Sequence, residues 1–379
     1  MERVLITGGA GFIGTRIARL LMDLGVSTRI LDNLSPQIHG DVPAGLDWLA
    51  GPGIEFRRDS ILNEKALRAA LEGVDTVIHL AAETGTGQSM YEVARYNSVN
   101  TYGTALLLDI LANDPARTVK RVLLASSRSI YGEGAYVCEA CSPTVRRYPE
   151  ARQAGPMDAG HWEHACPDCG GTLTPVPTLE TDPPRPASIY AATKFAQEDL
   201  VRIGCASLGI GYAILRLQNV YGEGQSLNNP YTGILSIFST RIRRNLVLPI
   251  FEDGAETRDF VHVDDVAAAF VAAAAAAQPV NDVINVGAGV PTPVREMAEK
   301  LNAAFEGRSE IKVTGQYRLG DIRHNCADIS RLRDLLGLAP RIDLDEGLAR
   351  FARWVLSQPL PEDRLDAANA EMRARKLMA

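Results

Sequence analysis

An apolar run, Val4-Leu5-Ile6-Thr7, passes straight into Gly8-Gly9-Ala10-Gly11-Phe12-Ile13-Gly14 and then into an amphipathic stretch that reaches Leu24. A strand that must turn at once into a helix needs a tight loop. Gly8 supplies the turn, Gly11 lets backbone N–H groups approach a bound group, and Gly14 lets the helix pack closely on the strand. The free N–H groups at such a helix start favour an anion, here a pyrophosphate. The feature predicts a βαβ unit carrying a dinucleotide, and with it an α/β fold of Rossmann type, doubly wound about a parallel sheet.

The rest of the first half keeps the same rhythm. RVLIT, STRILD, TVIHLAA and RVLLASS read as strands, separated by the helical stretches FIGTRIARLLMDLG, EKALRAALEG and TYGTALLLDILAND. A chain of 379 residues exceeds what one core usually spans. The expected organisation is a Rossmann domain over residues 1–132 and 178–217, with a later return near 258–286. An insert occupies 133–177, and a smaller substrate-binding domain takes 218–257 and 287–379. AAAFVAAAAAAQ reads as a buried helix too short to span a bilayer, and the last twenty residues as a charged terminal helix. The first strand leaves no room for a signal segment, so a cytoplasmic location is expected. The formal charge of −7 argues against nucleic acid as a partner, and no membrane partner is expected. The run Arg241, Arg243, Arg244 then reads as a solvated helix face.

ILDNLS places Asp32 twenty-four residues beyond Gly8, where a carboxylate accepts hydrogen bonds from a ribose. A 2′-phosphate there would meet a like charge, so NAD is expected rather than NADP. Further on, Tyr190 and Lys194 stand four apart at the start of a helical stretch and share one face. VLLASSRSIYG supplies a strand that ends at Ser127.

The glycine loop, this serine and the Tyr190-Ala191-Ala192-Thr193-Lys194 stretch together resemble the extended short-chain dehydrogenases/reductases. LRLQNVYGEGQ, RDFVHVDDV and YRLGDIRHNCADIS extend the resemblance, to the nucleotide-sugar epimerases/dehydratases, over residues 4 to 330. It implies a catalytic Ser127, Tyr190 and Lys194. A phenol of pKa about 10 must be shifted by positive charge, here Lys194 and the oxidised nicotinamide, before it can act as a base. It further implies that Asn33, Asp59, Ser60, Leu80, Ala81, Ala82 and Asn100 join the glycine loop and Asp32 around the cofactor. Asn219, Arg258 and Arg318 would meet the substrate's nucleotide and diphosphate, with Gln88 and Asn325 shaping the hexose pocket. The helical stretches TYGTALLLDILAND and AATKFAQEDLVRIG resemble the pair that forms a four-helix homodimer interface in this family. Dehydratases of the family carry an Asp-Glu pair after the catalytic hydroxyl residue. Arg128 and Ser129 stand there instead, which points to epimerisation at C4 without loss of water.

Two CxxC pairs remain. Cys138, Cys141, Cys166 and Cys169 can close a tetrahedral zinc site, and zinc would substitute for a core in so small an insert. His161 or His164 could replace a thiolate, and a redox dithiol is the alternative. The insert combined with QNVYGEGQSLNNPYTGILSIF resembles the branch of the family that epimerises dTDP-L-rhamnose. UDP-glucose or UDP-glucuronate 4-epimerases are the alternative, followed by a 4,6-dehydratase. Outside catalysis, a binding module responsive to NAD and zinc is the competing reading, against which stands the intact Ser127, Tyr190 and Lys194.

Overall fold

The computed structural model describes residues 1–40, 45–227 and 233–378, so residues 228–232 of the NNPYTG stretch lie outside the described residues. The short apolar runs form a seven-stranded parallel sheet. Its order is Asp282–Val286, Gly211–Leu217, Arg121–Ser127, Thr76–His79, Arg3–Thr7, Ser27–Asp32 and Ile54–Arg58. Successive side chains point to opposite faces, so both faces need cover. Val4 and Ile6 pack with Ile17 and Leu21 of helix Phe12–Asp23 and with Phe270 of the alanine-rich helix Val263–Ala275. Leu5 turns the other way, toward Leu67, Leu107 and Val201 of helices Glu64–Leu71, Gly103–Asn113 and Ile189–Leu208. The architecture is Rossmann-like, with ligands expected at the carboxyl ends of the strands.

A second apolar cluster gathers helices Ile234–Arg243, Val294–Ala304 and Leu344–Leu356 around strand Leu248–Ile250. Of Arg241, Arg243 and Arg244, expected on a solvated face, Arg241 is buried and Arg244 exposed, and all three tie down the chain from Val355 onward. Arg241 pairs with Asp363 at 2.8 Å, Arg243 donates to the carbonyls of Val355 and Gln358, and Arg244 donates to that of Pro361. A guanidinium's five donors suit it to capping chain carbonyls that no helix or strand satisfies. The terminal helix is shorter than expected, Leu365–Ala374. No described helix is long and apolar enough to cross a membrane.

The cysteine-bearing stretch has regular structure where no pattern predicted any. Strands Ser142–Arg147, Ala135–Cys138 and Thr174–Val176 form a small antiparallel sheet. Three to six residues, interrupted by Pro143 and Pro175, are too few to display an alternation. Its apolar core is only Tyr136, Cys138, Cys166 and Leu173.

Candidate active site

A cleft of about 1530 Å³ opens at the carboxyl ends of the strands. Single small-ligand pockets run to about 300–1,000 Å³, so this one has room for two ligands. Gly8, Gly11, Phe12, Ile13 and Gly14 line one half with Asp32, Asn33, Asp59, Ser60, Leu80, Ala81 and Ala82. Gly8 has φ +71° and a Cβ there would meet the Ala81 backbone nitrogen at 2.8 Å, while a Cβ on Gly14 would lie 2.6 Å from the Gly9 Cα. Neither position admits another residue. Asp32 accepts from the N–H groups of Ala10 at 3.0 Å and Leu34 at 2.8 Å, which aims its carboxylate across the loop. Asn100, expected on this wall, is fully buried behind it. Its amide bridges the Glu83 backbone and the Thr193 hydroxyl, so it supports the wall without lining it.

Ser127, Tyr190 and Lys194 line the same cleft, with Tyr190 hydrogen-bonded to Ser127. Ser188 caps the helix that carries Tyr190 and Lys194 by accepting from the Ala191 N–H. Two turns along the same face, Glu198 holds Arg216 through two hydrogen bonds of 3.0 and 2.7 Å and accepts from Ser126. That buried pair locks the helix against strands Arg121–Ser127 and Gly211–Leu217. Sequence reasoning missed Glu198, although the spacing 190, 194, 198 signalled it.

Burial raises the Tyr190 phenol above its ordinary value, opposed by its hydrogen bond with Ser127 and by the charge of Arg128. Burial lowers Lys194 to about 7, with Glu198 pulling the other way. Arg128 thus adds a positive charge at the phenol beside the one expected from Lys194. Arg128 was noted in the sequence only for not being an acid.

The other half of the cleft holds Asn219, Arg258 and Arg318 together with Gln218, Glu252, Glu256 and Asp321. Arg258 bonds Asp321 at 3.1 Å and the carbonyls of Ile322 and Arg323. Its neighbour Asp259 points to the opposite face of the strand, where it accepts from the N–H groups of Ala288, Gly289 and Ala327. The two are not an ion pair. Among the described residues, Asn219 Oδ1 and Arg318 Nε are buried polar atoms with no protein partner, which suits groups set aside for a ligand. Gln88 and Asn325 do not line the cleft. Gln88 is turned into a cluster with Gln37 and Glu92, and Asn325 donates to Gln218 at 2.6 Å, reaching the cleft only through it.

In the insert, the sulfurs of Cys138, Cys141, Cys166 and Cys169 lie within 4.8 Å of one another, with Cys138–Cys169 at 3.5 Å and Cys141–Cys166 at 3.6 Å. These separations are far beyond an S–S bond and match a tetrahedron of metal–sulfur bonds of about 2.3 Å, whose edges are about 3.8 Å. The four thiols fit a zinc ion. His164 instead faces Tyr136 and lies 3.2 Å from Glu133, outside the sulfur cluster.

The sequence matches the family described as "NAD dependent epimerase/dehydratase family" over residues 4–166 and 167–287. It is 39% identical to a dTDP-L-rhamnose 4-epimerase of Burkholderia thailandensis, across 94% of this chain and 96% of that protein. It is 30% identical to a putative UDP-glucose 4-epimerase of Methanocaldococcus jannaschii, across 93% and 98% of the two chains. Among solved structures, the UDP-glucose 4-epimerase of Thermus thermophilus in complex with NAD superposes with a TM-score of 0.72 at 26% identity, covering 94% of this chain and all of that one.

Proposed function

The chain belongs to the NAD dependent epimerase/dehydratase family, and from that membership we propose that it inverts C4 of a nucleotide sugar, with dTDP-L-rhamnose as substrate and dTDP-6-deoxy-L-talose as product. The observation that carries the reading is the meeting of Ser127, Tyr190 and Lys194 with the glycine loop in one cleft. NAD held along the glycine loop would supply a reversible hydride acceptor for C4. Tyr190 takes the proton of the 4-hydroxyl while Ser127 hydrogen-bonds that oxygen, and Lys194 holds the nicotinamide ribose. The flat 4-keto sugar turns over in the cleft, and Tyr190 gives the proton back to the new 4-oxygen. Asn219, Arg258 and Arg318 hold the nucleotide and diphosphate meanwhile. Asp32, read as the acceptor for the adenosine ribose, favours NAD over NADP. Elimination of water needs a carboxylic acid, which neither Arg128 nor Ser129 supplies.

The assignment of dTDP-L-rhamnose rests on the Burkholderia relative. A second reading, UDP-glucose or UDP-glucuronate, is favoured by the Methanocaldococcus relative and, for the uronate, by the Arg128 side chain in the cleft, which would pair with a C6 carboxylate. Incubating the purified protein with each nucleotide sugar and resolving the 4-epimers decides between them. Turnover of none would refute the enzyme reading. In the insert the four cysteines hold structural zinc. The exposed Tyr102 and Ile203, beside and on helices Gly103–Asn113 and Ile189–Leu208, support assembly of a homodimer through those helices.

A further inference from the structure

No residue between 133 and 177 lines the cleft, yet the insert grips the segment that does. Arg152 of the insert, almost fully buried, donates to both carboxylate oxygens of Glu252 at 2.7 Å and to the Asp321 carbonyl at 3.1 Å. Glu163 accepts from Arg323 at 2.6 and 2.8 Å and lies 3.1 Å from His324 Nε2. Glu133, at the root of the insert, accepts from the Arg323 N–H at 2.8 Å. The segment so gripped, Asp321 to Arg323, supplies three of the four oxygens that hold Arg258 in the cleft, the fourth being the Thr257 carbonyl. The insert is thus joined to that segment, and the segment to Arg258, by direct hydrogen bonds, of which those of Arg152 and Glu133 are the most buried and those of Glu163 the more exposed. Charge-assisted bonds of this kind set direction as well as distance.

We propose that the four-cysteine insert sets the geometry of the diphosphate end of the cleft, with Arg152 and Glu163 as positioning residues that hold the Asp321–Arg323 segment and, through it, Arg258. The inference rests on the epimerase reading for the identity of the ligand, a nucleoside diphosphate. Loss of Arg152 removes the cation that Glu133 and Glu252 share, leaves Glu252 to Arg323 alone and frees the Asp321 carbonyl, so the segment shifts and Arg258 with it. A charge-assisted hydrogen bond to the diphosphate that is weakened by displacing its guanidinium costs about a factor of 10 or more in affinity.

The test compares wild type with Arg152→Ala, Arg152→Lys and Arg146→Ala in the full chain. Arg146 anchors the insert to Asp182 and the Pro177 carbonyl, outside the Asp321–Arg323 segment. Affinities for dTDP, UDP and NAD are measured by calorimetry, and KM and kcat by epimer formation. Arg152→Ala should weaken binding of the nucleoside diphosphate about 10-fold or more and raise KM in step, with NAD affinity within about 2-fold and kcat little changed. Arg152→Lys keeps the charge but cannot span both Glu252 oxygens, so it should give an intermediate loss in a folded protein. Arg146→Ala should leave both affinities as in wild type. Unchanged diphosphate affinity in both Arg152 variants overturns the inference, as does a parallel loss of diphosphate and NAD binding shared with Arg146→Ala. A wild type that binds neither diphosphate overturns the epimerase reading and the inference with it.

Discussion

Tyr190 sits in a cleft that by itself keeps its phenol protonated and so unavailable as a base, because burial raises it against the opposing effects of Ser127 and Arg128. The positive charge of a bound oxidised cofactor would oppose that rise further and so tie proton transfer to cofactor occupancy. Tyr190→Phe removes the proton acceptor and little volume. Its turnover should fall about 10²- to 10⁴-fold with NAD affinity unchanged, measured by epimer formation and NAD titration. A second residue gives a dependence on pH. Burial pushes the Glu256 carboxyl up to about 7 from its ordinary 4.5. Between those values the folded protein keeps a proton that the unfolded chain has lost, so this contribution is present below about pH 4.5 and is lost as pH rises through 7. Glu256→Gln is neutral throughout and escapes the loss. Its melting temperature should exceed that of wild type at about pH 8 and match it near pH 4.5. A variant less stable than wild type at the higher pH would contradict the reading that burial of Glu256 outweighs the charges of Arg258 and Arg323.

Among the elements, the strand–loop–helix start and the YxxxK helix were legible because each is written within about a dozen neighbouring residues. The CxxC pairs were legible for the same reason. How the insert is held was not: Arg152 meets Glu252 one hundred residues away and Glu163 meets Arg323 at a separation of 160, and no local pattern marks such partners. Arg241 escaped in the same way, since its partner Asp363 lies 122 residues on. Resemblance assigned Gln88 and Asn325 to the right neighbourhood but could not tell which way their side chains turn. For the insert, elemental analysis of protein prepared without chelator should find about one zinc per chain. Replacing Cys138 and Cys169 by Ser should abolish it and expose residues 133–177 to protease. The large sheet should stay folded, because neither of its apolar clusters includes a residue of the insert. Global unfolding of that variant would show that the insert supports more than its own segment.

At the scale of the whole molecule, the parallel sheet places the glycine loop, the serine strand and the tyrosine helix around one cleft, and the second cluster of helices closes its far side. The sheet was readable because alternating strands and helices leave few topologies. The boundaries of the smaller part were harder to read, since strands of three residues such as Asn219–Tyr221 and Leu248–Ile250 carry no periodic signal. If helices Gly103–Asn113 and Ile189–Leu208 pair with a second copy, sedimentation at micromolar concentration should give a dimer, and Ile203→Glu should shift it to monomer. The central claim is that hydride leaves C4 and returns to the same carbon while Tyr190 handles the proton. The most direct measurement follows a nucleotide sugar deuterated at C4 to equilibrium with its epimer. The account predicts that the label remains on C4 in both sugars. Wash-out of deuterium into solvent, or accumulation of a 4-keto-6-deoxy sugar, would contradict it.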